Sequence, residues 1–316
     1  MKVYYSIDEF SAPAYSVVTL GTFDGVHKGH QAIIDRLNEI ARAHTGGESI
    51  LLTFKPHPRH ILQPEADIKL LNDEDEKIEL LRAAGLNHLI FHPFSLEFAK
   101  TSSADFVRNI LVHKIQVKKI VVGHDHHFGR NREGSYEHLV ELGRLYNFEV
   151  EQMVPQVVDN TVVSSTKIRK ALLEGDVDRA NRLLGHYYSL TGTVIKGNQI
   201  GESIGFPTAN ILNNNPHKII PGDGVYAVWV TFLSDPTERR MGMCNIGYRP
   251  TVSTGGFKSI EVHIFDFHGN IYGQILKIEF VSRLRAEQKF KDLTALRNQL
   301  EKDQTEALRV LMREEH

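Results

Sequence analysis

Residues 1–185 are predicted to form an α/β domain with a parallel sheet, and residues 186–316 an antiparallel β-barrel with a C-terminal helix. Three observations predict this organisation. Apolar runs alternate with helical patterns in the first part of the chain. After residue 185, short apolar runs are separated by turns rich in Gly, Pro and Asn, with no helix between them. A length of 316 residues is also enough for two domains of ordinary size.

The alternation in the first part predicts a layered α/β structure. The predicted strands are Ser16–Leu20, Ile50–Phe54, His88–Phe91, Lys119–Gly123 and Phe148–Val154. The first predicted helix follows the first strand, and the later ones are Lys77–Ala84, Ala104–Lys114, Tyr136–Tyr146, Thr166–Glu174 and Val177–Leu184. Repetition of strand, helix and strand predicts a parallel sheet covered on both faces, with ligands at the carboxyl ends of its strands.

The second part has the pattern of a barrel with helical covering. Its predicted strands are Ser189–Ile195, Val225–Phe232, Met241–Ile246, Ile260–Phe267 and Ile271–Phe280. From Asp292 onward, leucines return to helical spacing, which predicts one or two helices packed against the outside of the barrel.

The composition argues against several classes of protein. Because 37 Lys and Arg residues stand against 39 Asp and Glu, the net charge of −2 argues against a nucleic-acid backbone as the main partner. The single cysteine, Cys244, excludes an internal disulfide and a cysteine-rich zinc site. The sequence has no signal region and no stretch apolar enough to span a bilayer, so we expect a cytoplasmic protein that does not contact membranes. The near-neutral charge is compatible with a monomer or a weak homo-oligomer.

The segment GTFDGVHKGHQ, residues 21–31, joins the first predicted strand to the first predicted helix. The first N–H groups of a helix lack internal partners and carry partial positive charge, so a glycine-opened turn there receives anions. His27 and His30 are three residues apart, which places both rings on one face, where they could flank a phosphate. A free imidazole with a pKa of about 6.5 is partly protonated at pH 7, and a phosphate favours its charged form. The alternative is that both histidines are ordinary exposed polar residues.

Two common phosphate motifs do not occur in the sequence. There is no G-x-x-x-x-G-K-[ST], which excludes a P-loop, and the spacing of Gly21, Gly25 and Gly29 does not fit G-x-G-x-x-G. If the protein binds nucleotides, it binds them by other means.

The string GTFDGVHKGH resembles the H-x-G-H signature of the nucleotidylyltransferase superfamily, and its FDG prefix resembles the form found in bacterial FAD synthetases. Three later motifs match that family in order, namely residues 53–58, 123–129 and 163–169. The resemblance implies a Rossmann-like fold that transfers the adenylyl group of ATP to FMN. It also implies catalytic roles for His27 and His30.

The same resemblance implies a set of residues that bind nucleotide or flavin. They are Gly21, Phe23, Asp24, His57, Asp125, Ser164, Ser165, Thr166 and Arg169. Simpler alternatives exist, because Ser and Thr are good helix N-caps and His57 lies between two prolines that stiffen a loop. His124, His126 and His127 could form a metal cluster, but with no cysteine nearby and only one nearby carboxylate, Asp125, we do not expect a dedicated zinc site. The family usually has aromatic or basic residues at positions 126 and 127, which leaves the roles of these histidines open.

In the second domain, GNQIGESIGFPTAN, residues 197–210, resembles the glycine-rich loop and PTAN motif of riboflavin kinase. Gly197, Gly201 and Gly205 would let backbone amides approach phosphates, and the resemblance places Lys196 and Pro207 at the same site. Thr208 and Asn210 offer hard oxygen ligands to Mg²⁺, an ion that takes few protein ligands. The alternative is a tight turn of the barrel.

Two more stretches, residues 221–226 and 245–252, resemble the flavin side of the kinase and imply that Tyr226, Asn245 and Arg249 bind flavin. Ile260–Phe267 resembles the strand with the catalytic carboxylate. Glu261 shares one face of that strand with His263 and Phe265, and we expect this to be the inner face of the barrel, where a carboxylate needs a function or a partner. We expect Glu261 to be the general base that accepts the proton of the riboflavin 5′-hydroxyl. The alternative is a solvated glutamate that faces outward.

One position departs from the kinase pattern. The family commonly has Arg or Lys shortly before Gly-Phe-Pro, where this chain has Glu202. A carboxylate that faced the phosphates would repel them, so either Glu202 faces out and Lys196 supplies the charge, or the kinase is weakened.

The resemblances cover essentially the whole chain and predict a bifunctional enzyme of flavin cofactor synthesis. The barrel would make FMN from riboflavin and ATP, and the first domain would make FAD and pyrophosphate from FMN and a second ATP, with Mg²⁺ in both steps. One alternative is that only the adenylyltransferase is active and the barrel is a flavin-binding or regulatory module. Another is a flavin-binding regulator whose enzyme sites have decayed.

Overall fold

The computed structural model describes residues 1–197, 200–249 and 257–314, without the side chains of residues 200, 202, 249 and 257. By its internal contacts the chain separates into two compact units, Met1–Ser165 and Thr166–His316. The domain boundary at residue 185 remains a prediction.

The first unit is built on a six-stranded parallel sheet. Its strands are β1 (Lys2–Tyr4), β2 (Tyr15–Leu20), β3 (Gly47–Lys55), β4 (His88–Pro93), β5 (Val117–Val122) and β6 (Glu149–Gln152). Its helices are α1 (Lys28–Arg42), α2 (Pro58–Leu62), α3 (Glu74–Ala83), α4 (Ser103–Phe106) and α5 (Tyr136–Tyr146), and a π-helical stretch, Val107–Lys114, continues α4. A small hairpin follows, formed by β7 (Val157–Val158) and β8 (Thr161–Val162).

Both faces of the sheet are covered, as predicted. Alternate residues of a strand point to opposite faces, so neighbouring apolar residues enter different cores. Val18 packs on one side with Leu111 of the π-helical stretch, whereas Val17 packs on the other side with Leu37 of α1. Burial on both faces explains why the central strands are continuous apolar runs.

The order of the strands identifies the edge of the sheet at which a ligand is expected. The order is β1-β4-β3-β2-β5-β6, and every neighbouring pair is parallel. The chain passes from β2 to β3 and β4 on one side, and then continues with β5 and β6 on the other side. In open α/β sheets, ligands bind at such a switch point, outside the carboxyl ends of the strands. The turn after β2 and the turn after β5 therefore flank the expected ligand crevice.

The second unit contains a closed six-stranded barrel, as predicted. The helices α6 (Ser165–Leu173) and α7 (Val177–Leu184) precede it. Its strands are β9 (Tyr188–Ile195), β10 (Ala209–Leu212), β11 (Gly224–Phe232), β12 (Asp235–Arg249), β13 (Phe257–Ile264) and β14 (Ile275–Arg285), with α8 (Ile200–Ser203) before β10 and α9 (Leu293–Glu314) at the end. The strand order is β10-β13-β12-β11-β14-β9, with every pair antiparallel.

The barrel has an apolar interior and an outer face that is partly covered by α9. Tyr226 and Phe280 are fully buried inside, with their ring centroids 5.4 Å apart. On the outer face of the barrel, Trp229 of β11 and Met243 of β12 pack with Leu311 of α9. A small barrel is filled by side chains, so an interior position has no room for solvated charge.

Several elements differ from the prediction. The strand predicted at Ile271–Phe280 begins later, at Ile275, because residues 271–274 form a turn in which the N–H of Gln274 donates to the carbonyl oxygen of Ile271. Strands β1 and β10 were not predicted, since each is only three or four residues long. The C-terminal segment is one helix, α9.

No helix among the residues that the structure describes is long and apolar enough to cross a membrane.

Candidate active sites

The turn between β2 and α1 brings three aromatic rings into one stack. His27 is the N-cap of α1, and its ring lies 3.6 Å from that of His30, between centroids and nearly parallel. The ring of Phe23 lies on the other side of His30, with centroids 4.4 Å apart. The backbone reaches this arrangement through left-handed conformations at Phe23 (φ +45°) and Gly25 (φ +91°). The prediction that both histidines lie on one face at the helix N-terminus is therefore confirmed.

The protonation of the two histidines follows from their contacts. Nδ1 of His27 accepts the backbone N–H of His30 at 3.3 Å, so the proton of the neutral His27 ring is on Nε2. Nδ1 of His30 is buried and, among the described residues, has no hydrogen-bond partner. Burial lowers the pKa of His30 well below its usual value, and the nearby His27 and Lys77 lower it further. Without a bound phosphate, the His30 ring is therefore harder to protonate than the free imidazole from which the sequence argument started.

The segment from Leu71 to Lys77 holds the same turn in place. The buried carboxylate of Asp24 accepts the backbone N–H of Leu71 at 2.9 Å, and Oδ1 of Asn72 accepts the N–H of Gly25 at 2.6 Å. Nζ of Lys77 donates to the carbonyl oxygen of Thr22 at 2.8 Å. Asp24, predicted as a ligand-binding residue, thus uses its carboxylate to shape the turn. The sequence reasoning missed Asn72 and Lys77.

Two other predicted motifs lie beside this turn. Oγ of Ser165 donates to the carbonyl oxygen of Asp24 at 2.9 Å, so the residue that begins α6 is bonded to the H-x-G-H segment. In the turn after β5, a Cβ atom added at Gly123 would lie 3.7 Å from Cδ1 of Ile33 in α1 and 3.9 Å from Oδ1 of Asp125, so this turn is close to the start of α1. Ser164 directly precedes α6, and Thr166 and Arg169 lie in its first two turns, in the second compact unit.

His57 and His126 have defined local roles in the structure. His57 is the N-cap of α2, and its Nδ1 accepts the N–H of Arg59 at 3.2 Å, so a capping role accounts for it. The ring of His126 lies parallel to that of Phe128, with centroids 6.0 Å apart. Burial, together with the neighbouring His127, lowers the pKa of His126 to about 4.

In the barrel unit, two glycines lie against the residues that were predicted to hold a metal ion. A Cβ atom at Gly197 would overlap the side-chain amide of Asn210. A Cβ atom at Gly201 would overlap the carbonyl oxygen of Phe206 and lie 3.6 Å from Oγ1 of Thr208. Any side chain at either position would therefore clash with these neighbours. We call the pair Gly197 and Gly201 the glycine cradle. Gly205, with φ +87°, turns the chain toward Pro207.

Glu261 lies in β13 between two asparagines. It is opposite Asn210 of β10 and opposite Asn245 of β12. These residues are on the same face as Met243, which is the outer face of the barrel, while the buried Val262 points inside. The expectation that Glu261 faces the interior is therefore wrong, since the closed interior is filled by apolar side chains. The outward position is only half-exposed, which differs from a freely solvated glutamate.

Of the remaining predicted residues, one is buried, one is exposed and others have side chains that are not described. Tyr226 is fully buried, with its hydroxyl donating to the carbonyl oxygen of Gly222, so its ring belongs to the barrel core. Lys196 is exposed, with Nζ 6.0 Å from the ring centroid of Tyr272. The side chains of Arg249 and Glu202 lie outside the described residues.

The donor set of the barrel site fits a magnesium ion. The hydroxyl of Thr208 and the amide oxygen of Asn210 are hard oxygen ligands of the kind that Mg²⁺ takes, and two glycines lie against this segment, Gly197 against Asn210 and Gly201 against Phe206. In the described part of the chain, no group of three or more His, Cys, Asp or Glu side chains could hold a metal ion. An ion that keeps most of its water ligands does not need such a group.

Two family models match the chain over complementary ranges. The FAD synthetase family matches residues 10–167, and the riboflavin kinase family matches residues 184–311. Proteins named "Bifunctional riboflavin kinase/FMN adenylyltransferase" are similar over nearly their whole length. The protein from Listeria monocytogenes is 40% identical (91% of this chain, 90% of the other), that from Bacillus subtilis 38% (94% and 92%), and that from Escherichia coli K12 33% (92% and 91%).

A solved structure has the same overall fold. The crystal structure of a protein described as a macrolide-efflux protein from Streptococcus pneumoniae is 31% identical and has a TM-score of 0.87, covering 96% of this chain and 97% of that chain. Both enzyme modules and the full-length relatives lead to one conclusion: the chain belongs to the family of bifunctional riboflavin kinase/FMN adenylyltransferases.

Proposed function

We propose that the barrel unit phosphorylates riboflavin to FMN and that the α/β unit adenylylates FMN to FAD, each with ATP. The observation that carries this proposal is that each unit has its own turn of a kind suited to binding phosphate groups. In the α/β unit it is the stack of Phe23, His30 and His27 at the start of α1. In the barrel unit it is the glycine cradle against Thr208 and Asn210, with Glu261 opposite Asn210.

In the adenylyl transfer, an oxygen of the FMN phosphate attacks the α-phosphorus of ATP and pyrophosphate leaves. The nucleophile is already part of the substrate, so the protein supplies position and electrostatic stabilisation. His27 and His30 lie at the helix N-terminus, where free N–H groups favour the negative charge of the triphosphate. Burial lowers the pKa of His30 in the free protein, and the negative charge of a bound triphosphate would act in the opposite direction. Ser164, Ser165, Thr166, Arg169 and Asp125 complete the proposed nucleotide and flavin contacts.

In the kinase reaction, the 5′-hydroxyl of riboflavin attacks the γ-phosphorus of ATP and ADP leaves. Glu261 accepts the hydroxyl proton, which its position beside Asn210 allows at the phosphate end of the site. We propose that Thr208 and Asn210 hold Mg²⁺, which neutralises charge on the phosphates when bound. Asn245 lies next to Glu261 on the neighbouring strand, on the proposed flavin side.

We infer that the chain acts in the cytoplasm on small molecules, as a monomer or weak homo-oligomer, and without a nucleic-acid partner. The net charge of −2 supports the last point.

A chromatographic assay tests the proposal. Purified protein with ATP and Mg²⁺ is given riboflavin in one tube and FMN in a second tube. We expect FAD in both tubes. FAD from FMN alone would mean that the barrel is a flavin-binding module without kinase activity, and no FAD in either tube would contradict both assignments.

A further inference from the structure

The buried His263 makes a hydrogen bond to the loop that carries the proposed metal ligand. Its side chain is 8% exposed, and Nδ1 lies 2.7 Å from the carbonyl oxygen of Pro207. A carbonyl oxygen can only accept, so Nδ1 carries the proton and donates it to Pro207. This hydrogen bond therefore links the His263 ring to the residue directly before Thr208.

The bond lies where the backbone pairing between β10 and β13 ends. The two strands pair Asn210 with Glu261 and Ala209 with Val262. In an antiparallel ladder the next residue pair would be Thr208 with His263. The described pairing stops there, because the chain turns at Gly205 and Pro207 has no N–H group to donate. The His263 side chain joins the two segments beyond the last backbone pair.

Aromatic neighbours fix the orientation of the ring. Phe206 lies 5.2 Å and Phe265 5.7 Å from the ring of His263, between centroids and both inclined to it. A ring packed in this way has little rotational freedom, so the direction of its N–H is fixed before any substrate binds.

We propose that His263 is a positioning residue of the kinase, whose Nδ1–H fixes Pro207 and thereby sets Thr208 at the correct distance from the general base Glu261. This inference rests on the proposed kinase function of the barrel. It assigns no proton transfer to His263. Its effect is on the metal and phosphate end of the site, because Thr208 and Asn210 lie there and the flavin-side residue Asn245 is on the other side of β13.

Two variants separate the hydrogen bond from the packing. His263→Phe keeps an aromatic ring between Phe206 and Phe265 but removes the donor. His263→Asn loses the ring but keeps an N–H close to the position of Nδ1. A lost hydrogen bond of ordinary strength corresponds to a change of about tenfold. We expect His263→Phe to raise the KM for Mg·ATP about tenfold at unchanged KM for riboflavin, and His263→Asn to restore most of the difference.

A second experiment tests the same hydrogen bond without measuring catalysis. Hydrogen exchange of the peptide covering residues 204–212 is followed by mass spectrometry while ADP and Mg²⁺ are added. We expect His263→Phe to exchange faster there and to need about tenfold more nucleotide for the same protection, in contrast to wild type and His263→Asn. The peptide belongs to the barrel unit, so its exchange is read at the proposed kinase site itself. FAD formation from FMN, which uses the other unit, is the control for the intact chain.

Different results would contradict the role of His263 and the kinase function on which it rests. The inference is overturned if His263→Phe has the wild-type KM for Mg·ATP and wild-type exchange in residues 204–212, or if His263→Asn is as impaired as His263→Phe. A smaller amount of folded enzyme, with kcat per folded molecule and both KM values unchanged, would mean a role in stability only and also overturns the inference. Failure of the wild type to phosphorylate riboflavin contradicts the kinase assignment, and the exchange experiment still decides the role of the hydrogen bond.

Discussion

Nζ of Lys77 donates a hydrogen bond to the carbonyl oxygen of Thr22 at 2.8 Å and so joins the first turn of α3 to the turn that carries His27 and His30. Burial lowers the pKa of Lys77, while the nearby charges of Asp24 and Glu74 act in the opposite direction. The lysine thus supports the backbone of the turn and adds positive charge close to His30. Like Asn72, Lys77 had been assigned no role from the sequence.

Replacement of Lys77 by Met is expected to impair FAD formation. The substitution leaves the carbonyl of Thr22 without this donor and removes a positive charge beside His30. We expect kcat/KM for FAD formation from FMN to fall about tenfold or more, which is the range for one lost charge-assisted hydrogen bond. Phosphorylation of riboflavin should be unchanged. Lys118→Met, at an exposed lysine of β5, is the control, and equal losses in both variants would show that the contact to Thr22 is unimportant.

Two glycine substitutions test the cradle in the barrel. A Cβ atom in Gly201→Ala would overlap the carbonyl oxygen of Phe206, so the Phe206–Thr208 corner must move. In Gly205→Ala the added atom enters open space, and only the positive φ is unfavourable, at about 1 to 2 kcal/mol. We expect FMN formation to fall at least about tenfold in Gly201→Ala and much less in Gly205→Ala, with FAD formation from FMN unchanged in both. The reverse order in the riboflavin kinase assay would refute the cradle.

The low pKa of His126 predicts an acid-sensitive α/β unit. In the unfolded chain the pKa of histidine is about 6.5, whereas burial lowers it to about 4 in the folded protein. Between these values the unfolded chain binds more protons, so stability is lost as the pH falls through this window. At pH 5 the loss is about 1 to 2 kcal/mol for this one group. We expect His126→Phe to remove that part of the acid sensitivity.

Hydrogen exchange at pH 7.5 and 5.0 measures this effect in peptides of the α/β unit. Trp229, the only tryptophan of the chain, is buried between the outer face of the barrel and α9, so its fluorescence during urea unfolding reports on the barrel unit. This signal should show no difference between wild type and His126→Phe. An equal loss of protection at pH 5.0 in both proteins would mean that His126 titrates normally in the folded state.

The architecture followed from patterns that depend on local sequence alone. Continuous apolar strands such as Ile50–Phe54 predict a sheet buried on both faces, and the short runs after Gly185 predict a barrel. The face of Glu261 could not be read in this way. Alternation shows that Glu261 and His263 share a face, but which face is inside depends on where α9 packs. The packing of α9 is a tertiary property that alternation does not reveal, and Glu261 therefore faces outward, where the prediction had it facing inward.

The contacts that support the H-x-G-H turn could not be predicted from the sequence either, although one sequence pattern pointed to Lys77. Asp73 and Glu76 form a capping box, which places Lys77 in the first turn of α3. A lysine there opposes the helix dipole, so such a residue is expected to have a specific partner. Which partner it has depends on the long-range contact between Lys77 and Thr22, 55 positions apart.

The central claim is that two independent sites in one chain act in sequence. The most direct test is a chromatographic assay of His30→Ala and Glu261→Gln, separately and mixed, with riboflavin, ATP and Mg²⁺. We expect His30→Ala to stop at FMN, Glu261→Gln to leave riboflavin unchanged but to convert added FMN, and the mixture to make FAD from riboflavin. A folded His30→Ala protein that has lost both activities, or a mixture that makes no FAD, would contradict two independent sites.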